Sequence, residues 1–140
     1  MDVNKLLNAL DDETNDRLIN LTTKKLIEMN FNILKQLHLT KIDTIKILEK
    51  LKGYIYVDEI NDFKNGTFLR WIPLHNPEDL KLNRGALFCE IKIVDEGTFV
   101  VCKKIGYTTS YFKINMDENL IFRKLREPEL IILNALDHLS

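Results

Sequence analysis

The sequence has little of the residue types that break or cross-link a chain. Its 140 residues include only 5 glycines, 3 prolines and 2 cysteines. So few glycines and prolines exclude a collagen-like or low-complexity chain, and 45% hydrophobic residues exclude a disordered one. Cys89 and Cys102 form neither a CxxC motif nor a zinc-ligand pattern. We interpret both as buried, reduced thiols of a chain that folds without a metal or a disulfide.

An excess of charge is also missing. The 20 basic and 21 acidic residues give a formal net charge of -1, so attraction to nucleic acid or to an anionic membrane has to come from a local patch. No apolar run approaches the ~20 residues that span a bilayer. The acidic start, MDVNKLLNALDDETNDR, does not have the pattern of a signal peptide. These absences predict one soluble domain over residues 1–140 with no membrane partner.

Catalytic and cofactor-binding motifs are missing as well. His38, His75 and His138 fall in three different predicted elements and outside motifs such as HExxH or GxSxG. The glycine-rich phosphate loops GxGxxG and GxxxxGK[ST] are absent. Acidic pairs such as Asp95-Glu96 fall in predicted turns or caps, where solvation and turn formation explain them. We therefore predict no catalytic residues, no metal ligands and no cofactor, and so a protein that is not an enzyme.

Residues 1–53 have the periodicity of helices. Val3 to Leu10 predicts a short helical segment, and Asp11-Asp12 offers a cap for a long helix that should run to about Leu37. The wide apolar face of this helix predicts packing against two elements of its own chain or, alternatively, also against a second copy of the protein. The residues predicted to mediate self-association are Ile19, Leu26, Ile27, Ile33 and Leu34.

A further helix is predicted between Thr40, which should cap it, and Gly53, which should end it. After it, apolar and polar residues alternate over residues 54–125, as in strands. The stretch from Tyr54 to Ile60 predicts a short strand or an extended linker. Five short strands over about sixty residues then predict a small antiparallel SH3/Tudor-like barrel or a bent sheet. A C-terminal helix over 128–139, with Pro128 at its first position, completes an α+β single domain.

The predicted strand from Thr67 to Leu74 carries the only tryptophan. Alternation places Trp71 on one face and Arg70 on the other, and apolar residues occupy both faces. A strand with two apolar faces is covered on both sides, so Trp71 should pack in the core. Arg70 should either reach the end of the strand or meet an acidic partner.

The β-region also combines basic and aromatic residues. Aromatic side chains beside cations can stack bases or hold a cationic or proline-rich ligand. The alternative interpretation is that these aromatic residues only pack and that the lysines lie in solvated turns. The predicted binding surface comprises Arg70, Trp71, Arg84, Lys103, Lys104, Tyr107 and Tyr111.

Four segments carry a resemblance to a known family: MDVNKLLNAL, GTFLRWIPLHNPEDLKLNRGALFCEIKI, VVCK and LIFRKLREPELIILNALDHLS. Together they resemble a small conserved protein of marseillevirus-type large DNA viruses of amoebae, over most of the chain. The resemblance implies a virus-encoded protein that is packaged in the virion. It brings no catalytic residues with it.

The predicted function is a non-enzymatic structural or protein-interaction protein of a large DNA virus. It should form a homodimer and contact other viral or host proteins, in the virion and in the host cytoplasm or nucleus. The alternative is a nucleic-acid or transcription-associated binding module that uses the basic and aromatic surface of the β-region.

Overall fold

A computed structural model describes residues 2–12, 15 and 18–139, which form an α+β fold. Its four helices are α1 (Val3–Asp11), α2 (Thr23–Lys35), α3 (Lys41–Lys50) and α4 (Glu127–Leu139). Its six strands are β1 (Tyr54–Tyr56), β2 (Phe68–Pro73), β3 (Ala86–Val94), β4 (Gly97–Lys104), β5 (Ser110–Asn115) and β6 (Asn119–Lys124). Short 3₁₀ turns lie at Ile60–Asp62 and Met116–Glu118.

Polar side chains fix where the first three helices begin. Asp2, Thr22 and Thr40 each accept a hydrogen bond from the backbone N–H three residues later, which satisfies a donor that has no partner within the helix. The predicted cap at Thr40 is confirmed. The predicted long helix that starts near Asp12 is wrong, because the Thr22 cap starts α2 ten residues later; residues 13, 14, 16 and 17 of that prediction lie outside the described residues.

The sheet is antiparallel with the strand order β1-β6-β2-β3-β4-β5. The five predicted strands become six because Tyr54–Tyr56 pairs with Phe122–Lys124 of β6 and is a strand, not a linker. The sheet is open, with β1 and β5 at its two edges, so the predicted closure into an SH3-like barrel is not confirmed.

The sheet nevertheless bends strongly across its last four strands. The rings of Trp71 on β2 and Phe112 on β5 have centroids 5.6 Å apart, although β3 and β4 lie between these strands in the sheet. In a flat sheet three strand spacings would separate them by about 14 Å. The contact therefore requires β5 to curve back toward β2, which creates a concave face.

Three apolar clusters hold these layers together. The concave face encloses the first cluster, which includes Leu69, Trp71, Phe88, Cys102 and Ile121. Helices α1, α2 and α4 form the second with Ile55 and Leu125. Helices α2 and α3 form the third on the opposite face of the sheet, against residues that include Ile72 and Phe122. Strand β2 is therefore covered on both faces, as its sequence predicts.

Candidate functional site

A cavity of about 460 Å³ opens at the rim of the concave face. Strands β2, β4 and β5 and the segment that leads into β3 contribute its walls. This volume lies within the roughly 300–1,000 Å³ that is typical of small-ligand sites. We call the cavity the rim pocket, and its lining residues are Trp71, Asn83, Arg84, Gly85, Ala86, Lys104 and Phe112.

Two aromatic rings form the apolar part of the rim pocket. Trp71 and Phe112 contact each other at an interplanar angle of 45°; Trp71 is 7% exposed, and Phe112 is half-buried. Phe112 takes this position because it pairs with Cys102, whose side chain points into the concave core. Phe112 is not among the predicted site residues, although alternation along β5 places it on the inward face.

Two cations form the polar part of the rim pocket. Lys104 lies two residues after the inward-facing Cys102 and so shares its face of β4. Arg84 follows Asn83, whose backbone N–H donates to the Trp71 carbonyl at 2.8 Å and so fixes this segment beside the aromatic wall. Among the described residues, the charged members of the lining are Arg84 and Lys104, and both are basic. The rim pocket therefore combines an apolar wall with a positive potential.

Arg70 lies away from this pocket, on the opposite face of β2. Its Nε donates to the Asn83 carbonyl at 3.2 Å, and its Nη1 donates to the Lys50 carbonyl at 3.4 Å. Lys50 is the last residue of α3, where unpaired carbonyls carry the negative end of the helix dipole. Arg70 was predicted to reach the end of the strand or to meet an acidic partner. Its guanidinium instead meets the carbonyl end of a helix and connects α3 to the segment that carries Arg84.

The remaining predicted residues face other directions. Lys103 and Tyr111 are a cross-strand pair between β4 and β5, and both lie on the face opposite Cys102 and Phe112. Tyr107 is fully exposed in the loop that joins these strands. The fold therefore brings Trp71 and the two pocket cations together and leaves Lys103, Tyr107, Tyr111 and Arg70 outside the pocket.

The residues predicted for self-association are also divided by the fold. Leu26 and Leu34 are buried, Leu26 against α4 and β1 and Leu34 against the sheet and α3, so neither is available to a partner. Ile33 is half-buried against the same cluster as Leu34. Only Ile19 and Ile27 are exposed. Most of the wide apolar face is therefore covered by two layers of its own chain.

The two cysteines are free and lie on neighbouring strands. Burial, and secondarily the nearby Cys89, raises the pKa of the Cys102 thiol to about 12. Cys102 is therefore a protonated, inert thiol at neutral pH, since the thiolate is the reactive form. Cys89 is half-buried.

Other chemistry is not assembled among the described residues. The three histidines lie apart, at the end of α2, in the loop after β2 and in the last turn of α4. Within residues 2–12, 15 and 18–139, no cluster of His, Cys, Asp and Glu could hold a metal ion. In the same part of the chain, no helix is long and apolar enough to cross a membrane. No protein-family model, curated protein or solved structure matches this chain.

Proposed function

We propose that this protein is a non-enzymatic binding module and that its rim pocket holds a segment of single-stranded nucleic acid. The observation that carries this proposal is the placement of Arg84 and Lys104 beside the Trp71–Phe112 wall. An aromatic wall offers a surface for the flat face of an unpaired base, and adjacent cations can neutralise the phosphates on either side of it. A base inside a duplex could not reach such a pocket, so the ligand is single-stranded.

The single tryptophan makes this proposal directly measurable. Trp71 is the only tryptophan of the chain, so tryptophan fluorescence reports on the rim pocket and on the core directly beside it. We expect short oligothymidine or oligouridine strands to change this fluorescence on binding. A duplex of equal length should bind more weakly, because its bases are already stacked and paired.

The salt dependence of binding should reveal the two pocket cations. Each phosphate neutralised on a single strand contributes roughly −0.7 to the slope of log K against log salt. Arg84 and Lys104 acting together therefore predict a slope of about −1.4. The double variant Arg84→Ala/Lys104→Ala should lose most of this slope and at least about tenfold in affinity, at roughly 1 kcal/mol for each lost hydrogen-bonded contact.

A matched control removes the same charge elsewhere. Lys81 and Lys92 are exposed and lie outside the rim pocket, so Lys81→Ala/Lys92→Ala should leave affinity nearly unchanged. Equal losses in the two double variants would indicate non-specific attraction and would overturn the site. If inorganic polyphosphate competes as strongly as an oligonucleotide does, the pocket recognises the charge of the phosphates and not a base.

A second candidate function is self-association as a structural or interaction protein. It is supported by the apolar residues Ile27, Phe31 and Ile45, which are exposed on the outer sides of α2 and α3. Exposed apolar patches of this kind mark interaction surfaces in soluble proteins. Light scattering at high micromolar concentration tests this candidate, and a mass of one chain would contradict it.

The family resemblance adds the proposal that this assembly belongs to a virus. Under this proposal the homodimer contacts other viral or host proteins in the virion or in the host cytoplasm or nucleus. An antibody against the protein should then detect it in purified particles of a marseillevirus-type virus that encodes it. Its absence from particles, with presence in infected cells, would restrict the protein to the host cell.

A further inference from the structure

A second cavity, of about 440 Å³, separates α2 from α3 on the side away from the sheet. We call it the helical groove. Helices α2 and α3 both pack on the sheet, through Leu34 and Ile47, and the groove lies between them. Its lining residues are Phe31, Leu34, Lys35, His38, Leu39, Lys41, Thr44, Ile45 and Leu48.

In the part of the chain that the structure describes, the titratable side chains that line the helical groove are Lys35, His38 and Lys41, all of the basic types. The Lys35 Nζ lies 5.2 Å from the centroid of the Phe31 ring, so its charge lies against an apolar residue of the lining. The acidic residues Glu28, Asp43 and Glu49 of the same helices are not part of the lining. Two such grooves facing each other would bring like charges together. The charge therefore favours an occupant with apolar and acidic residues.

Helix α1 has the complementary properties on its outward side. Val3, Leu7 and Leu10 are exposed at spacings of four and three residues, which places them on one side of the helix. Ala9 and Leu6, on the inner side, pack with the α4 core. The α1 stripe, as we call Val3, Leu7 and Leu10, is thus an apolar surface that its own chain leaves exposed.

The charges around the α1 stripe match those of the helical groove. Asp2 and Asp11 stand at the two ends of α1. The one basic residue of α1, Lys5, lies on the opposite side, where its Nζ pairs with Glu127 at 3.4 Å. Among the described residues of α1, the outward side therefore presents apolar and acidic groups without a cation.

We infer that the α1 stripe of one copy docks in the helical groove of a second copy. The lengths agree: Val3 to Leu10 comprises eight residues, and so does Lys41 to Leu48 along the groove, about 10 Å from first to last in each case. This inference rests on the self-association proposed above and names its two surfaces. Because α1 keeps its packing on α4, docking needs no unfolding of either copy. Two copies that exchange α1 stripes reciprocally form a closed dimer.

The experiment breaks each half of this contact separately. Leu7 is 52% exposed and Ile45 is 48% exposed, so Leu7→Glu and Ile45→Glu should leave the fold intact, as circular dichroism and melting temperature would verify. Each variant alone should fall to the mass of one chain, 16.4 kDa, in light scattering. Ile93→Glu, at an exposed apolar position of β3, is the control and should keep the mass of the unaltered protein.

Mixing the two variants distinguishes this contact from other modes of association. The Leu7→Glu chain retains a helical groove, and the Ile45→Glu chain retains an α1 stripe, so their mixture should form a 1:1 complex. Because the mixture keeps one contact of the two, its dissociation constant should be at least tenfold weaker than that of the unaltered protein. If the two variants stay monomeric when mixed, the inference is overturned. Self-association of the unaltered protein would then have to use another surface.

A charge exchange supplies an independent test. Lys35→Glu/Lys41→Glu should weaken association at least tenfold, and adding Asp11→Lys to the same chain should restore part of it. Lack of restoration, with the double variant folded, would contradict the assigned charge pairing. If the unaltered protein is monomeric at high micromolar concentration, both the self-association proposal and this inference fail. If it associates but Leu7→Glu does not change its mass, only this inference fails.

Discussion

Arg123 and Glu129 form a bidentate ion pair inside the protein. The Arg123 Nη1 lies 2.6 Å from Oε1 of Glu129, and Nη2 lies 2.8 Å from Oε2. The two side chains are 3% and 1% exposed. Since Arg123 belongs to β6 and Glu129 to the first turn of α4, the pair attaches the last helix to the sheet.

A neighbouring arginine extends this pair into a network. The backbone N–H of Arg126 donates to Glu129 Oε1 at 2.8 Å, and the Nη2 of the Arg126 side chain donates to Asn15 Oδ1 at 3.0 Å. The buried Asn15 in turn donates to the Ala9 carbonyl at 2.9 Å. The network therefore links the sheet, α4 and α1. It attaches α1 to α4 through Asn15, although much of the α1 surface is exposed.

The first prediction concerns removal of one partner of the ion pair. Glu129→Gln leaves the Arg123 charge buried without its counter-charge, which should lower the free energy of unfolding by about 3–5 kcal/mol. The double variant Arg123→Met/Glu129→Leu removes both charges and should lose much less. Urea denaturation at neutral pH measures the difference. A loss below about 1 kcal/mol in Glu129→Gln would contradict a strongly coupled pair.

The second prediction is a pH dependence of stability. Burial raises the pKa of Glu129, but the hydrogen bond and charge of Arg123, with contributions from Arg126, outweigh burial and leave the pKa below its ordinary value of 4.5. The stability from this carboxylate is therefore present above about pH 4.5 and is lost as the pH falls below it.

Urea midpoints measured between neutral pH and about pH 3 check this dependence. The unaltered protein should lose more stability over this interval than Arg123→Met/Glu129→Leu, because only the unaltered protein has the Glu129 carboxylate. The other acidic residues are the same in both proteins, so their contributions cancel in the comparison. Parallel losses in the two proteins would show that Glu129 does not contribute to the acid dependence.

The third prediction concerns Trp71 as a core residue. Trp71→Ala removes a buried ring from the concave core and its contact with Phe112, which should cost about 3–5 kcal/mol. Trp71→Phe keeps most of the apolar volume and should retain most of the stability. Thermal melting followed by circular dichroism compares them without using tryptophan fluorescence. An unchanged melting temperature in Trp71→Ala would contradict the core assignment.

The fourth prediction concerns His38 in the turn that follows α2. His38 has a φ of 53°, in the left-handed region that costs roughly 1–2 kcal/mol for a residue with a side chain. His38→Gly should therefore raise the free energy of unfolding by up to about 1 kcal/mol, after the greater entropy loss of glycine is subtracted.

Gln36→Gly is the matched control, because Gln36 has a helical φ of −64° and gains nothing from glycine. It should lower stability or leave it unchanged. Stabilisation of similar size in both variants would show that relief of backbone strain at His38 is not the cause.

Local features of the fold could be predicted from the sequence because their causes are local. The Thr40 cap and the strand around Trp71 depend on residues within a few positions of one another. Alternation also predicted that both faces of β2 are covered, and the apolar clusters on its two sides confirm this. The predicted start of the long helix failed because apolar periodicity continued past the Thr22 cap.

The pairing of distant segments followed from tertiary structure alone. Tyr54–Tyr56 becomes a strand because β6 lies beside it, and the ends of the sheet stay open although the sheet bends. Trp71 and Phe112 meet only because of that bend. The ion pair of Arg123 and Glu129 likewise depends on how α4 returns to the sheet.

Composition and local pattern thus established an α+β chain with its apolar faces, its turns and a set of basic and aromatic residues. Only the tertiary structure separated those residues, placing Arg84 and Lys104 at one pocket and Arg70 at a helix end. It also decided which side of α2 is covered and left the α1 stripe and the helical groove open. The physical reason is that alternation and helical period set the direction of a side chain relative to its own element. What that side chain meets depends on the packing of all the elements together.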